Sequence, residues 1–230
     1  MSVKEFPTKQ VLELACAAQR INGEYLKEST SVFADDGVFV YSKTPNKILM
    51  FVTLDPMAWT ADPKQAPMPL KITKEDTELA DEILAFYKRL MFAAIEGSNE
   101  FLTSINSLLA GDSIKLNQFG YIACLPSVYL RDRMHTNVKR AARKSEEGFL
   151  GEAGARLEDL DCEILEVIKS KNFEGWNVCA IINNKMVSWV SQKELKLGPC
   201  VVVKAKIKAQ SKHWKHGTDE TRLHYVKVAQ

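Results

Sequence analysis

Residues 200–210 read C-V-V-V-K-A-K-I-K-A-Q, which sets Val201, Val203, Ala205, Ile207 and Ala209 against Val202, Lys204, Lys206, Lys208 and Gln210. A period of two over this length predicts a strand with one apolar and one cationic face. The loop S-K-H-W-K-H-G-T-D (211–219) follows and carries Lys212, His213, Trp214, Lys215 and His216. A second predicted strand, E-T-R-L-H-Y-V-K-V (220–228), adds Arg222, Tyr225 and Lys227. Ammonium groups spaced along a ribbon suit the phosphates of a polyanion, and a ring in a polar loop suits an unpaired base. Stacking on Trp214 would contribute about 1–3 kcal/mol per base. The plain alternative is a solvated edge strand whose lysines deter edge-to-edge pairing.

Two more places extend this chemistry. The segment S-K-N-F-E-G (170–175) carries Lys171 and Phe173, a second cation and ring in a loop. Trp176 beside it shares a face with Val178, Ala180 and Ile182, so it reads as core first and as a ligand platform second. Trp189 reads as core in the same way. Upstream, residues 131–144 predict a helix with Arg131, Arg133, Lys139, Arg140, Arg143 and Lys144, opposed only by Asp132. Such a stripe is usually a solvated face, but beside a binding groove it extends the positive track.

Other chemistries find little support. His213 and His216 could approach Cys200 or His224, yet no paired-ligand spacing stands opposite them, so no metal or other cofactor is expected. The G-E-A-G at 151–154 has the form of a nucleic-acid clamp, but Glu152 occupies its middle and a strand follows. There is no G-x-x-x-x-G-K-[ST], G-x-S-x-G or H-E-x-x-H. Asp35-Asp36 before Gly37 reads as a turn; Glu75, Asp76, Glu78, Asp81 and Glu82 mark a helix start and its wet side. The chain is therefore expected not to be an enzyme.

The elements that must hold these residues divide in two. Residues 1–130 carry 12 Lys+Arg against 16 Asp+Glu and residues 131–230 carry 19 against 13, so an acidic part precedes a basic one. The first is predicted to be mostly helical: a helix over about 8–26 with Thr8 as cap and Gly23 as stop, a small β element around Asp35-Asp36-Gly37, and an apolar run at 46–54 compatible with strand or helix. A proline-rich loop reaches Leu70. A helix capped by T-K-E-D (73–76) then turns at Gly97–Ser98 into another. Residues 114–125 read as extended, with Pro126 starting the basic helix. Residues 145–153 read as a linker between a domain at 1–145 and one at 153–230. Strands are expected at 157–169, 176–183, 186–191, 200–210 and 220–228.

Five strands in this order, the first long, with a short insertion between the third and fourth, match the OB-fold; the fold class is α+β. In that barrel ligands lie across the second and third strands, between the loops joining strands one and two and strands four and five. Those loops are 170–175 and 211–219. The segments G-E-A-G-A-R (151–156), V-S-W-V-S-Q-K-E-L-K-L-G (187–198), the lysine-rich fourth strand and E-T-R-L-H-Y-V-K-V resemble C-terminal domains of small bacteriophage-encoded proteins, among them replication-associated ones. That resemblance implies an OB barrel and a role around viral DNA.

The expected function is non-catalytic binding of single-stranded DNA, or RNA, with low sequence specificity. Residues 1–130 would contact replication or recombination proteins or a second copy of the chain. The alternative is an accessory module, an assembly factor or an effector against a host system, whose barrel meets an acidic protein. Five dispersed cysteines without a C-x-x-C pattern, and the lack of a leader-like or membrane-length apolar run, set the expected location as the cytoplasm.

Overall fold

Apolar residues at Val11, Leu12, Ala15 and Ala18 fall on one side of a helix, and that helix organises the N-terminal half. The computed structural model describes residues 4–56, 67–93, 100–170, 173–213 and 215–230. Strand β1 (Glu5–Pro7) leads into helix α1 (Thr8–Asn22). Thr8 was expected to cap α1; instead Pro7 precedes the first turn, and the Thr8 hydroxyl donates to Gly111 O at 2.6 Å. Gly23, at φ 76, ends the helix as expected and donates its N–H to Gln19 O. Strands β2 (Thr30–Phe33) and β3 (Phe39–Lys43) form the small β element around the Asp-Asp-Gly turn.

The ambiguous apolar run becomes helix α2 (Asn46–Leu54). Its buried Asn46 accepts from Asn22 Nδ2 at 2.8 Å and Leu26 N at 3.0 Å, fixing the chain at both ends of the β element. Helix α3 (Lys74–Ala93) starts with the reciprocal cap that T-K-E-D predicts: Thr73 N donates to Asp76 Oδ2 at 2.9 Å, and Asp76 N donates to Thr73 Oγ1 at 3.4 Å. Helix α4 (Glu100–Ala110) follows; Gly97 and Ser98 lie outside the described residues.

Strand β4 (Ser113–Lys115) pairs antiparallel with β1, and helix α5 (Phe119–Lys144) begins shortly after it. This corrects the expectation of an extended 114–125 segment and a helix opened by Pro126. Pro126 sits inside α5. An interior proline costs a helix about 3 kcal/mol. The same turns bury Phe119, Ile122, Leu125 and Tyr129, and each such side chain contributes about 1.5–3 kcal/mol, so burial wins. These residues join α1, Leu49 and Met50 of α2, Ile83 and Tyr87 of α3, Ile105 and Ile114 in one core.

Residues Met1–Leu130 form one compact unit and Arg131–Gln230 another. The second unit begins within α5, where the charge balance changes sign and ahead of the linker expected at 145–153. Its strands are β5 (Arg156–Lys169), β6 (Trp176–Ile182), β7 (Lys185–Ser191), β8 (Gly198–Lys212) and β9 (Asp219–Ala229). They close into a barrel in the order β5-β6-β7-β9-β8. Every pairing is antiparallel except β7 with β9, which is parallel. This mixed five-stranded barrel is consistent with an OB-fold. Asn183 and Asn184, at φ 48 and 58, make the tight β6–β7 turn that the paired asparagines announce.

The barrel interior takes Ile164, Val178, Ala180, Ile182, Val187, Trp189, Val202, Ala205, Ile207 and Leu223. Strict alternation along β8 fails: Val202 is buried while Val203 is 41% exposed, because the register shifts between Val202 and Lys204. The described cysteines are free thiols. Burial pushes Cys16 and Cys179 up to about 12, so both stay protonated and inert.

Gly175 is the tightest glycine of the barrel, at φ 138 and with Ser191 O only 2.7 Å from where a Cβ would stand. Gly175→Ala should therefore destabilise the second unit by about 1–3 kcal/mol. Tryptophan fluorescence during urea unfolding reads this, and an unchanged midpoint would contradict it.

Candidate nucleic-acid interface

The β8–β9 ribbon holds the lysines because its outer face must stay wet while Val202, Ala205, Ile207 and Leu223 fill the barrel. Antiparallel register sets Lys204 opposite Lys227 and Lys206 opposite His224. Like charges directly opposite each other are destabilising, so the Lys204–Lys227 pairing carries a cost that a bound anion would remove. Lys204, Lys206, Lys208 and Lys227 are exposed, and among the described residues none of them enters an ion pair. The Arg222 guanidinium is exposed, its Nε 3.6 Å from Glu220 Oε1. On the other side of β8, Arg156 stands opposite Lys206 and Glu158 opposite Lys204, so the field is strongest toward β9.

Tyr225 is the ring this ribbon presents. At φ 55 it lies 77% exposed, with its ring centroid 4.3 Å from that of His224. The cause is legible in the apolar spacing: Leu223 points inward, and so do Val226 and Val228, which forces an extra residue between them. Trp214, the ring expected to stack, lies outside the described residues, as does Lys171.

The β8–β9 loop is pinned at its base. Lys212 pairs with Asp219 at 2.7 Å; Lys212, the Gly148 N–H and nearby Lys185 hold the Asp219 carboxyl below the usual aspartate range. His213 is nearly buried, accepts the N–H groups of Lys215 and His216 at Nδ1, and points Nε2 at Glu220 from 3.6 Å. Its ring stacks on His216 at 4.8 Å. Burial, followed by the positive fields of His213, Lys215, Lys139 and His135, holds His216 below the ordinary imidazole range. The charge of α5 thus reaches this loop. Lys139, Arg140 and Arg143 are exposed on α5, and Lys215 is exposed in the loop. Together with the ribbon they make one basic region.

The expected floor of the site is open only in part. One end of the outer face of β5, β6 and β7 is covered, because Val138 and Ala142 of α5 pack on Leu165, Cys179 and Met186; at the other end Ile168, Asn177 and Val190 stay exposed. His135 Nδ1 adds a contact to Glu166 Oε1 at 2.8 Å. A ligand lying across the second and third strands would have to keep to the open Asn177–Val190 end or displace α5. The clue was present in Val138, Ala141 and Ala142, an apolar edge within the basic helix, and in the outward Leu165, Ile181 and Met186. Also unforeseen was Glu220, 5% exposed, which accepts from the Ser188 hydroxyl and anchors His213 and Arg222.

The first loop does not join this region. Phe173 is 44% exposed, but β6 starts beside Ser191 at the end of β7, whereas β9 starts beside Met186 at its beginning. Phe173 and the β8–β9 loop therefore stand at opposite ends of the barrel. Trp176 is half-buried on the same side as Val178, and Trp189 is buried.

Among the described residues no group of His, Cys, Asp and Glu is arranged to hold a metal ion, and no helix is long and apolar enough to cross a membrane. The fold and this basic region define the class: an α+β chain with a closed five-stranded barrel whose fourth and fifth strands carry its cations. Comparison with protein-family models, with curated proteins and with solved structures finds no match.

Proposed function

We propose that this protein binds single-stranded nucleic acid, DNA before RNA, without catalysis and with little sequence preference, in replication or recombination. The observation that carries the reading is the β8–β9 outer face, where Lys204, Lys206, Lys208 and Lys227 are exposed and, among the described residues, in no ion pair around the protruding Tyr225. Phosphates would neutralise the opposed lysines, and Tyr225 would supply the stacking surface that tolerates any base. The β8–β9 loop and the exposed face of α5 would lengthen the track through Lys215, Lys139, Arg140 and Arg143. The resemblance of the last segments to phage replication-associated domains supports the same reading.

Titration of a labelled oligonucleotide of about 20 nucleotides tests it. Affinity should be micromolar or tighter at low salt. With four phosphate contacts it should weaken about 50-fold between roughly 50 and 200 mM salt. Absence of binding at the lower salt would reject nucleic acid and favour an acidic protein as the ligand of this face.

A further inference from the structure

Among the described residues nothing covers the β2–β3 hairpin. It is a two-stranded sheet that pairs with no other described strand, and of residues 28–42 only Val32 is even partly buried. Phe33, Val38, Phe39, Val40 and Tyr41 are each more than half exposed. Phe33 and Phe39 meet edge to face at 6.1 Å, and this pair is what the ribbon has for a core. A lone two-stranded hairpin is marginal in water, and apolar residues on both its faces make exposure costlier still. The described contacts holding it to the rest of the first unit are at its base, where Lys43 Nζ donates to Asn22 O at 2.9 Å and Asn46 fixes the adjoining chain.

Charge decides what can cover it. The charged residues from 29 to 42 are Asp35 and Asp36 at the tip, so a polyanion is repelled. On the β3 side of the base the charged residues are Lys43 and Lys47, while on the β2 side Lys27 stands between Glu24 and Glu28. The acidic tip and the lysine side of the base are complementary when two hairpins pair antiparallel along β3. The β3 edge carries no proline, and its one lysine is the last residue, Lys43, so the usual blocks to such pairing are absent from Phe39 to Ser42.

We infer that two copies of this chain associate through the hairpin, β3 pairing antiparallel with β3 of the second copy. A two-fold axis at Val40 sets Phe39 of each copy opposite Tyr41 of the other and brings each Asp35–Asp36 tip to the lysine end of its neighbour. Cross-strand aromatic pairs and opposed charges are the contacts that stabilise such sheets. The pairing is isologous, so it closes at two copies. It is independent of the nucleic-acid reading.

Sedimentation of the full-length protein from about 1 to 100 µM should show a reversible monomer–dimer equilibrium, the range expected of a small interface. Val40→Lys should weaken association at least 50-fold. It should leave helical circular dichroism unchanged, because Val40 lies outside the core. Tyr41→Ser, which only removes the ring, should weaken association in the same direction and keeps the test open if the lysine variant misfolds. A wild-type monomer across this range overturns the inference. So does a Val40→Lys variant that dimerises like wild type, or a monomer whose hairpin binds only an unrelated protein.

Discussion

Replacing Lys204, Lys206 and Lys208 together with alanine should lower affinity for a single-stranded oligonucleotide about 100-fold near 0.1 M salt. Each phosphate contact to a single strand contributes about 0.7 to the slope of log affinity against log salt, so losing three removes about 2 from that slope. The same three residues should cost little stability. Their side chains are exposed, and removing Lys204 relieves its repulsion with Lys227. Tyr225→Ala should act differently, lowering affinity by about 1–3 kcal/mol with the salt slope unchanged, because stacking releases no counterions. Fluorescence anisotropy at several salt concentrations separates the two effects. A triple variant that keeps the wild-type slope would move the interface off the ribbon. Should Phe173→Ala rather than Tyr225→Ala carry the stacking loss, the ligand would run toward the opposite end of the barrel.

The barrel was legible because its strands place apolar residues at close to every second position and are bounded by turn residues. Asn183-Asn184 placed one hairpin to the residue. The first unit was read less well where burial overrode local preference, as at Pro126, whose helix survives because its neighbours fill the core. The site was half legible. The lysines of β8 are on the outer face as their spacing predicts, but strict alternation could not see the register shifts at Val202–Lys204 and Ile207–Ala209. Tyr225 owes its prominence to such a break, and the sign was the change of apolar parity from Leu223 to Val226. The covered end of the β5–β7 face depends on a tertiary contact with α5. Only the helix's small apolar edge, against strands with apolar residues on both sides, pointed to it. Glu220 gave no signal, since a carboxylate at a strand start reads as solvated until its register beside Met186 and Ser211, and its contact with the Ser188 hydroxyl, are known.

The largest expected stability effect lies in the first unit, at Asp76. Its carboxylate is 3% exposed and sits at the positive end of α3. Arg20, in the last turn of α1, grips it with Nε 3.0 Å from Oδ1 and an NH2 group 2.8 Å from Oδ2, and the same NH2 group reaches Lys71 O at 2.9 Å. Thr73 N donates to Oδ2 at 2.9 Å. One side chain thus joins α1, the segment before α3 and the cap of α3. Burial alone would raise the Asp76 carboxyl, but Arg20 and the Thr73 donors outweigh it and hold the carboxyl below the ordinary aspartate value. Asp76→Ala removes a cap and several charge-assisted hydrogen bonds, and should destabilise this unit by about 3 kcal/mol near pH 7. The figure stays at the low end for a buried pair because the Arg20 side chain is 40% exposed and remains hydrated. A depressed carboxylate stabilises above its unfolded pKa, and the gain disappears as pH falls through the folded value. The gap between wild type and variant should therefore be full at pH 7 and shrink below about pH 4. Urea unfolding followed by helical circular dichroism measures both limbs. A variant as stable as wild type at pH 7, or a gap that persists undiminished in acid, would show that the Arg20–Asp76 bridge does not secure α1 to α3.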